Sequence, residues 1–208
     1  METGKKTVTV DVPEGKKAVW NEQGILQLVD DEPKDVTERI KTIYDAVNEL
    51  AQRAGNGDCE AKQLIEEYNC YTSKETSTDL LAYLKLRIIT AALNEGWTPQ
   101  FTENERRWYS YFTLWTEDEL KDKSDEWKDD HKLLLWGGDA DNGTYCVSSC
   151  SYSYYGWTYA DANFGSRLAY KTEALATFAG LTFAPVYARF FLGDKAKGLK
   201  PWREVEGK

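Results

Sequence analysis

The strongest constraint in this sequence is a change of pattern near residue 97. Between residues 35 and 96, apolar residues recur at the three-to-four-residue spacing of helices that bury one face. After residue 97 they occur in short runs rich in Trp, Tyr and Phe, residue types that favour strands. A chain with helices first and strands afterwards predicts an α+β fold rather than an alternating α/β fold.

Three amphipathic helices are predicted in the first half, and each has a capping residue before it or a glycine after it. They run from Asp35 to Gly55, from Asp58 to about Tyr68, and from Ser77 or Thr78 to Gly96. The residues expected to face inward share helical spacing and are Val36, Ile40, Ile43, Val47 and Leu50 in the first helix, Ala61, Leu64 and Ile65 in the second, and Leu81, Leu84, Ile88 and Ala91 in the third.

The N-terminal residues predict a small β-meander over residues 7–29. Thr7 to Val12 alternate at period two, and two further apolar runs follow at 18–20 and 25–29. A sheet of this size is not stable alone, so we expect it to pack on other residues or on another chain.

The second half predicts a mainly antiparallel sheet with a closing helix. Expected strands are 108–115, 133–136, 145–154 and 167–170, and a solvated helix is expected around 119–128 in an acidic run. The closing helix begins at Thr172 and breaks or kinks at Pro185. We expect the polar tail from Gly193 to be loosely held.

These patterns divide the chain into three segments: an N-terminal β-arm (1–34), a helical segment (35–96) and an aromatic-rich α+β domain (97–208). Residues 35–208 are expected to form one compact unit. The length of 208 residues suits one domain with a small appendage.

Composition favours contact surfaces over proton-transfer chemistry. The chain has 8 Trp, 13 Tyr and 7 Phe against a single His, and its net charge is −9. A nucleic-acid-binding surface would need clustered Lys and Arg, so nucleic acid is not an expected partner. No apolar run reaches 18 residues, so membrane insertion is not expected either.

The candidate recognition surface lies in a stretch without basic residues. Residues 133–166 contain no Lys or Arg, and residues 145–170 contain six Tyr and five Ser. Tyr and Trp give large contact areas at low entropic cost, and Ser and Asn adapt their hydrogen bonds. A half-buried sheet is the alternative, because aromatic residues also favour strands. The predicted partner-binding or ligand-binding residues are Tyr152, Tyr154, Tyr155, Trp157, Tyr159 and Asn163.

No cofactor or metal is predicted. The four cysteines contain no CxxC pair, and buried or semi-buried free thiols are favoured over a zinc site. Asp139 and Asp141 stand in a sequence similar to a calcium loop, but the glycine comes one residue early and no Glu follows nearby. A tight turn is favoured there, and cation binding is left open.

Catalysis finds little support in the sequence. His131 is the single histidine and lies in an acidic run, which leaves the common Ser-His and Cys-His arrangements without a clear base. Carboxylate pairs occur throughout an acidic protein, so none of them specifically indicates glycoside hydrolysis. We therefore predict a non-enzymatic protein, with a carbohydrate-active enzyme as the weakest alternative.

Four stretches of the chain resemble a known group of proteins. They are residues 12–20 (VPEGKKAVW), 34–42 (KDVTERIKT), 84–97 (from LKLRII to ALNEGW) and 164–171 (FGSRLAYK). Together they resemble uncharacterised proteins of tailed phages and prophages of gut Bacteroidetes, crAss-like phages included. The C-terminal part is weakly similar to C-type-lectin-like receptor-binding domains, although an Ala- and Phe-rich helix follows where such a domain would end.

The resemblance implies a phage context and supplies no catalytic residues. We expect a structural or accessory protein of the virion, made in the host cytoplasm and present in the virion after assembly. Its expected partners are other virion proteins, further copies of itself, and a host surface glycan. The alternative is a cytosolic accessory protein, such as an anti-defence or regulatory binding factor.

Overall fold

The structure is a computed structural model that divides into two compact units, residues 1–39 and residues 40–208. It describes residues 9–21, 23–30, 35–100, 102, 104–115, 117–136, 146–148, 154–156 and 166–207. Helices and small antiparallel sheets both occur, so the predicted α+β class is confirmed.

The first unit contains a β-hairpin and a short helix. Strands β1 (Lys16–Trp20) and β2 (Leu26–Asp30) pair in antiparallel fashion, and α1 (Val36–Arg39) follows. Residues 9–12 form no strand, so within the described residues a two-stranded hairpin replaces the predicted three-stranded meander. The turn suits a hairpin, because Gly24 adopts a φ of +73°.

The second unit begins with three packed helices, α2 (Ile43–Gly55), α3 (Cys59–Thr72) and α4 (Thr78–Leu93). The single helix predicted from Asp35 to Gly55 is wrong, because the chain leaves the helical path between α1 and α2. Thr42 forms a capping box with Asp45 that starts α2 anew. The predicted start of the next helix is confirmed, because the Asp58 side chain accepts a hydrogen bond from the amide of Ala61.

Helix α4 is the centre of this unit and is buried on several sides. Its fully buried side chains include Leu86 and Ile89, which were not among the expected inward residues. Leu81 and Ala91, which were expected to face inward, are only half-buried. A helix enclosed by neighbours on several sides loses the one-sided pattern from which an inward face is inferred.

The second half contains short strands in two separate sheets. Strands β3 (Arg107–Tyr109), β4 (Thr113–Trp115), β5 (Leu134–Trp136), β6 (Cys146–Ser148) and β7 (Tyr154–Gly156) alternate with helices α5 (Glu117–Leu120) and α6 (Asp125–Asp130). β3 pairs with β7, whereas β4 pairs with β6 and β6 with β5. The aromatic run 108–115 is therefore two strands in different sheets, and not the single strand predicted.

The chain ends in two helices and an ordered tail. Helices α7 (Glu173–Thr182) and α8 (Ala184–Leu192) meet at Phe183, and Pro185 lies in the first turn of α8, as the predicted break requires. A 3₁₀ helix (Gly193–Gly198), strand β8 (Leu199–Pro201) and helix α9 (Trp202–Glu206) follow.

Two further predictions about this half are wrong. Residues 166–168 form a 3₁₀ turn, and Tyr170 makes one bridge to Trp108, where a strand over 167–170 was predicted. The tail is also not loosely held, because β8 pairs with β5. Its Trp202 side chain is 2% exposed.

Candidate functional site

The predicted recognition residues fall only partly on the described chain. Tyr154 and Tyr155 lie in β7, where their backbones are paired with Tyr109 and Trp108 of β3. The other predicted residues, Tyr152, Trp157, Tyr159 and Asn163, lie outside the described residues, as does the turn at 139–143.

The β-hairpin carries a face of apolar side chains, two of which are large and exposed. Cross-strand pairing places Ala18 opposite Leu28 and Trp20 opposite Leu26, and these four residues share one side of the hairpin. We call them the apolar face. Trp20 is 72% exposed and Leu28 is 44% exposed. Large apolar side chains grouped on an open sheet face are typical of contact surfaces.

The turn of the hairpin is fixed by hydrogen bonds to one side chain. The Asn21 side chain accepts hydrogen bonds from the amides of Gln23 (3.0 Å) and Ile25 (2.9 Å). The Asn21 amide donates to the Ile25 carbonyl across the turn. These bonds fix the register, so the apolar side chains stay together on one side.

A second candidate site is a cleft of about 370 Å³ at the ends of α2, α3 and α4. We call it the arginine cleft, because three guanidinium groups from distant parts of the chain line it. Its lining includes Arg53, Arg87, Arg167, Glu60, Asn94 and Trp97. The three arginines are widely separated in sequence, and no local motif in the sequence identified them.

Arg53 is held rigidly at the base of the arginine cleft. Its Nε and Nη2 atoms donate to Asp58 Oδ2 at 3.0 and 2.5 Å, and Nη1 donates to the Ala91 carbonyl at 2.9 Å. A guanidinium fixed by bonds to two elements ties α2 to the start of α3 and to α4.

The other two arginines differ in how they are held. Arg87 donates from Nη1 to Glu67 Oε2 at 2.7 Å. Arg167 also lines the cleft and is exposed, and its side chain makes no hydrogen bond or ion pair with any described residue. The cleft therefore combines two paired arginines with one that can reach a bound group.

Asn94 holds the segment that follows Arg167 against the end of α4. Its Nδ2 donates to the Ala169 carbonyl at 2.8 Å, and its Oδ1 accepts from the Lys171 amide at 3.0 Å. The Asn94 side chain is buried, and these two hydrogen bonds give both its amide nitrogen and its amide oxygen a protein partner. The end of α4 and the segment around Ala169 are consequently locked together.

Asp58 gives the first testable prediction, because it both caps α3 and pairs with Arg53. The hydrogen bond from the Ala61 amide, followed by that from Arg53, lowers the pKa of the Asp58 carboxyl. Asp58→Ala should cost about 1–2 kcal/mol, the range for losing an N-cap. Asp58→Asn keeps a capping oxygen and should cost less than about 1 kcal/mol. Urea unfolding at neutral pH measures both changes.

The pH dependence of Asp58→Asn separates the charge from the cap. A lowered folded pKa contributes stability above the unfolded pKa of about 4 and loses it as the pH falls through the folded value. The gap between wild type and Asp58→Asn should therefore close as the pH is lowered from 6 toward 3. Asp118→Asn, which removes an exposed ion pair with Lys121, is the control and should have little effect. A gap that stays constant with pH would contradict the assignment.

Of the residues considered for catalysis or metal binding, the described ones, His131, Cys59 and Cys70, do not line the arginine cleft. The His131 ring stacks on Trp127 with centroids 4.1 Å apart, and its Nδ1 lies 2.8 Å from the Trp127 carbonyl. Cys59 and Cys70 are exposed thiols, so the predicted burial is wrong for these two. Within the described ranges, no three His, Cys, Asp or Glu side chains form a group that could hold a metal ion.

No protein-family model, curated protein sequence or solved structure matches this chain. The phage resemblance therefore stays a prediction. Among the described helices, none is by itself long and apolar enough to cross a membrane; α7 and the stretch 184–198 meet the criteria only as a pair bent by 78°.

Proposed function

We propose that this chain is a non-enzymatic phage protein that works by binding, and that its β-hairpin is an arm docking onto a neighbouring subunit of the virion. One observation carries the proposal, namely the apolar face with Trp20 at 72% and Leu28 at 44% exposure. A two-stranded hairpin has no second layer to cover such a face, so covering it requires another surface. The phage context rests on the sequence resemblance.

The arrangement of the face favours a second copy of this chain as the partner. Small Ala18 and large Trp20 lie on the same side of β1, two residues apart. A two-fold axis between facing hairpins would place Trp20 of one copy over Ala18 of the other. Each large indole ring would then pack against a small alanine side chain, in two equivalent contacts. Another virion protein is the alternative partner, and the aromatic stretch 145–163 is proposed to contact a partner chain or a host glycan.

The oligomeric state tests the arm. Sedimentation velocity should find the wild type at a multiple of its 23.8 kDa mass and Trp20→Thr/Leu28→Thr at the monomer mass. Threonine keeps strand propensity, so the hairpin should persist in the variant. Lys17→Thr/Gln27→Thr changes the opposite face and should keep the wild-type mass. Tyr44→Gln removes an exposed aromatic from α2 and should also keep it.

Two outcomes would count against self-association through the apolar face. If the wild type stays monomeric at high micromolar concentration, a second copy of the chain is not the partner of the apolar face. A double variant that keeps the oligomer would place the interface elsewhere.

The virion context needs a separate experiment. Mass spectrometry of gradient-purified particles of the phage encoding this chain should detect its peptides in a fixed ratio to the capsid protein. Peptides present in infected cells and absent from purified particles would instead favour the cytosolic accessory factor.

A further inference from the structure

A second concave site lies between α4 and α8, and nothing in the proposed function uses it. It is a pocket of about 200 Å³ that contains three basic side chains and two hydroxyl groups. We call it the cation pocket. Its lining includes Thr76, Thr78, Lys85, Val186, Arg189 and Lys197.

Lys85 and Arg189 enter the cation pocket from the two helices without a counter-charge. Neither side chain makes a hydrogen bond or an ion pair with any residue that the structure describes. Lys85 is half-buried, and burial followed by repulsion from Arg189 lowers the pKa of its ammonium group. The two positive charges thus destabilise one another in the free protein.

The third cation of the pocket is already neutralised. Lys197 Nζ lies 2.7 Å from Asp194 Oδ1, and the Thr78 hydroxyl donates to the same carboxylate. These hydrogen bonds, led by that from Lys197, lower the pKa of Asp194 and keep it ionised. An ionised Asp194 balances Lys197, so Lys85 and Arg189 remain as a net charge of two in a chain whose overall charge is −9.

Packing between the helices does not require these two charges. Tyr83 of α4 stacks on Phe190 of α8 with ring centroids 5.7 Å apart. Ala82, Leu86 and Ala188, on the same pair of helices, are buried. Arg189 is exposed, but Lys85 is half-buried and unpaired. A partly desolvated cation opposes folding, so a purely structural role would favour an apolar side chain at position 85.

We propose that the cation pocket binds a dianionic phosphate group, either free phosphate or the phosphate of a small ester. A guanidinium offers paired donors that match phosphate oxygens, and an ammonium adds a compact point charge. Two cations match the charge of the dianion, whereas a single carboxylate would leave one of them unbalanced. A pocket of this volume accommodates the phosphate together with a few further atoms.

Isothermal titration with sodium phosphate tests the site, with sodium chloride at matched ionic strength as the reference. Wild type should bind one phosphate per chain. Lys85→Met or Arg189→Met should weaken binding about tenfold or more, because each removes a charge-assisted hydrogen bond. The double variant should not bind measurably. Lys62→Met, which changes an exposed lysine on α3, should bind as the wild type does.

Thermal unfolding distinguishes a binding site from a structural pair. Without phosphate, Lys85→Met should melt at the wild-type temperature or above it, because it removes a repelled and desolvated charge. Phosphate should raise the melting temperature of the wild type and not that of the double variant. Equal shifts in both proteins, or equal shifts by phosphate and chloride, would overturn the proposal.

Comparing the affinity for glycerol phosphate with that for inorganic phosphate shows whether the cation pocket binds a phosphate ester or the free ion. Binding at least as tight as that of inorganic phosphate assigns the site to a phosphate ester, and binding of inorganic phosphate alone assigns it to the free ion. Trp20→Thr should bind phosphate normally, so failure of the arm and failure of this pocket can be told apart.

Discussion

Replacing Trp202 with alanine is expected to destabilise the second unit by about 3–5 kcal/mol, the range for truncating a buried aromatic residue. The side chain is 2% exposed and packs in a cluster with Leu120, Leu133 and Leu135. Its indole Nε1 also donates to Asp129 Oδ1 at 3.0 Å. Urea unfolding followed by circular dichroism at 222 nm measures the change without relying on tryptophan fluorescence.

Backbone hydrogen bonds around Trp202 add to the loss of stability expected from side-chain burial alone. The Trp202 amide donates to the Leu133 carbonyl at 3.1 Å, and β8 just before it pairs with β5. Removing the indole loosens an anchor that keeps the last strand in register, so unfolding of the tail should accompany the loss of packing.

Arg203→Ala is the matched control for the tail. Arg203 forms an ion pair with Asp129 next to Trp202, but both side chains are substantially exposed. Pairs of this kind contribute about 0–1 kcal/mol, so the control should stay close to the wild type. A loss below about 1 kcal/mol for Trp202→Ala would mean that the tail is not anchored by its tryptophan.

The tail also shows why part of this fold could not be predicted. Between Gly193 and Lys208 the sequence is polar, and isolated apolar residues there have no periodic pattern. The partner strand β5 lies some 65 residues earlier, and neither segment contains a signal that identifies the other. Local patterns predict elements, whereas pairing between distant elements depends on three-dimensional packing.

The helices illustrate both the success and the limit of local rules. The Asp58 cap and the break near Pro185 were predictable, because each depends on neighbouring residues. The break before α2 was missed, since Ile40 and Ile43 keep helical spacing through it and Ile40 is buried. The Thr42 and Asp45 capping box was the available signal that contradicted a continuous helix.

The candidate sites also differ in whether neighbouring residues in the sequence could predict them. A small β-structured arm was predicted from the alternating pattern, although as a meander over residues 7–29 and not as a two-stranded hairpin. The arginine cleft was not, because it joins side chains from α2, α4 and the segment after residue 166. The cation pocket depends on the contact between α4 and α8, and spacing along the chain does not show that contact.

Tyr187→Phe is expected to destabilise the second unit by about 1–3 kcal/mol, and by more than Tyr170→Phe does. Both tyrosines are buried, and burial raises the pKa of each phenol, so both remain protonated at neutral pH. Their hydroxyl oxygens lie 2.9 Å apart. Tyr170 also lies 3.1 Å from Thr90 Oγ1, and Tyr187 lies 3.1 Å from Ser110 Oγ.

The direction of these hydrogen bonds follows from the Ala176 carbonyl, at one end of the series, because a carbonyl oxygen can only accept. Ser110 Oγ lies 2.8 Å from the Ala176 carbonyl, which can only accept. Ser110 has one hydrogen and gives it to that carbonyl, so Tyr187 donates to Ser110, Tyr170 donates to Tyr187 and Thr90 donates to Tyr170. We call this series the hydroxyl chain. It links α4, the β3 end, α7 and α8 through the middle of the core.

The direction of donation predicts unequal costs for the two substitutions. Tyr187→Phe leaves the Tyr170 hydroxyl as a buried donor without an acceptor, the more costly kind of unsatisfied group. Tyr170→Phe leaves Tyr187 one donor short, and Thr90 can turn its hydroxyl to a carbonyl of its own helix. The double variant should cost less than the sum of the two single changes, because the second substitution removes the orphan left by the first.

Urea unfolding of the four proteins in this cycle measures the coupling, and Tyr44→Phe, at an exposed site on α2, is the control that should change nothing. Additive costs would show that the two hydroxyls act independently and would contradict a directed chain. A larger cost for Tyr170→Phe than for Tyr187→Phe would reverse the direction of donation, with Ser110 then donating to Tyr187. The sign of that difference therefore reports the direction in which the hydroxyl chain donates.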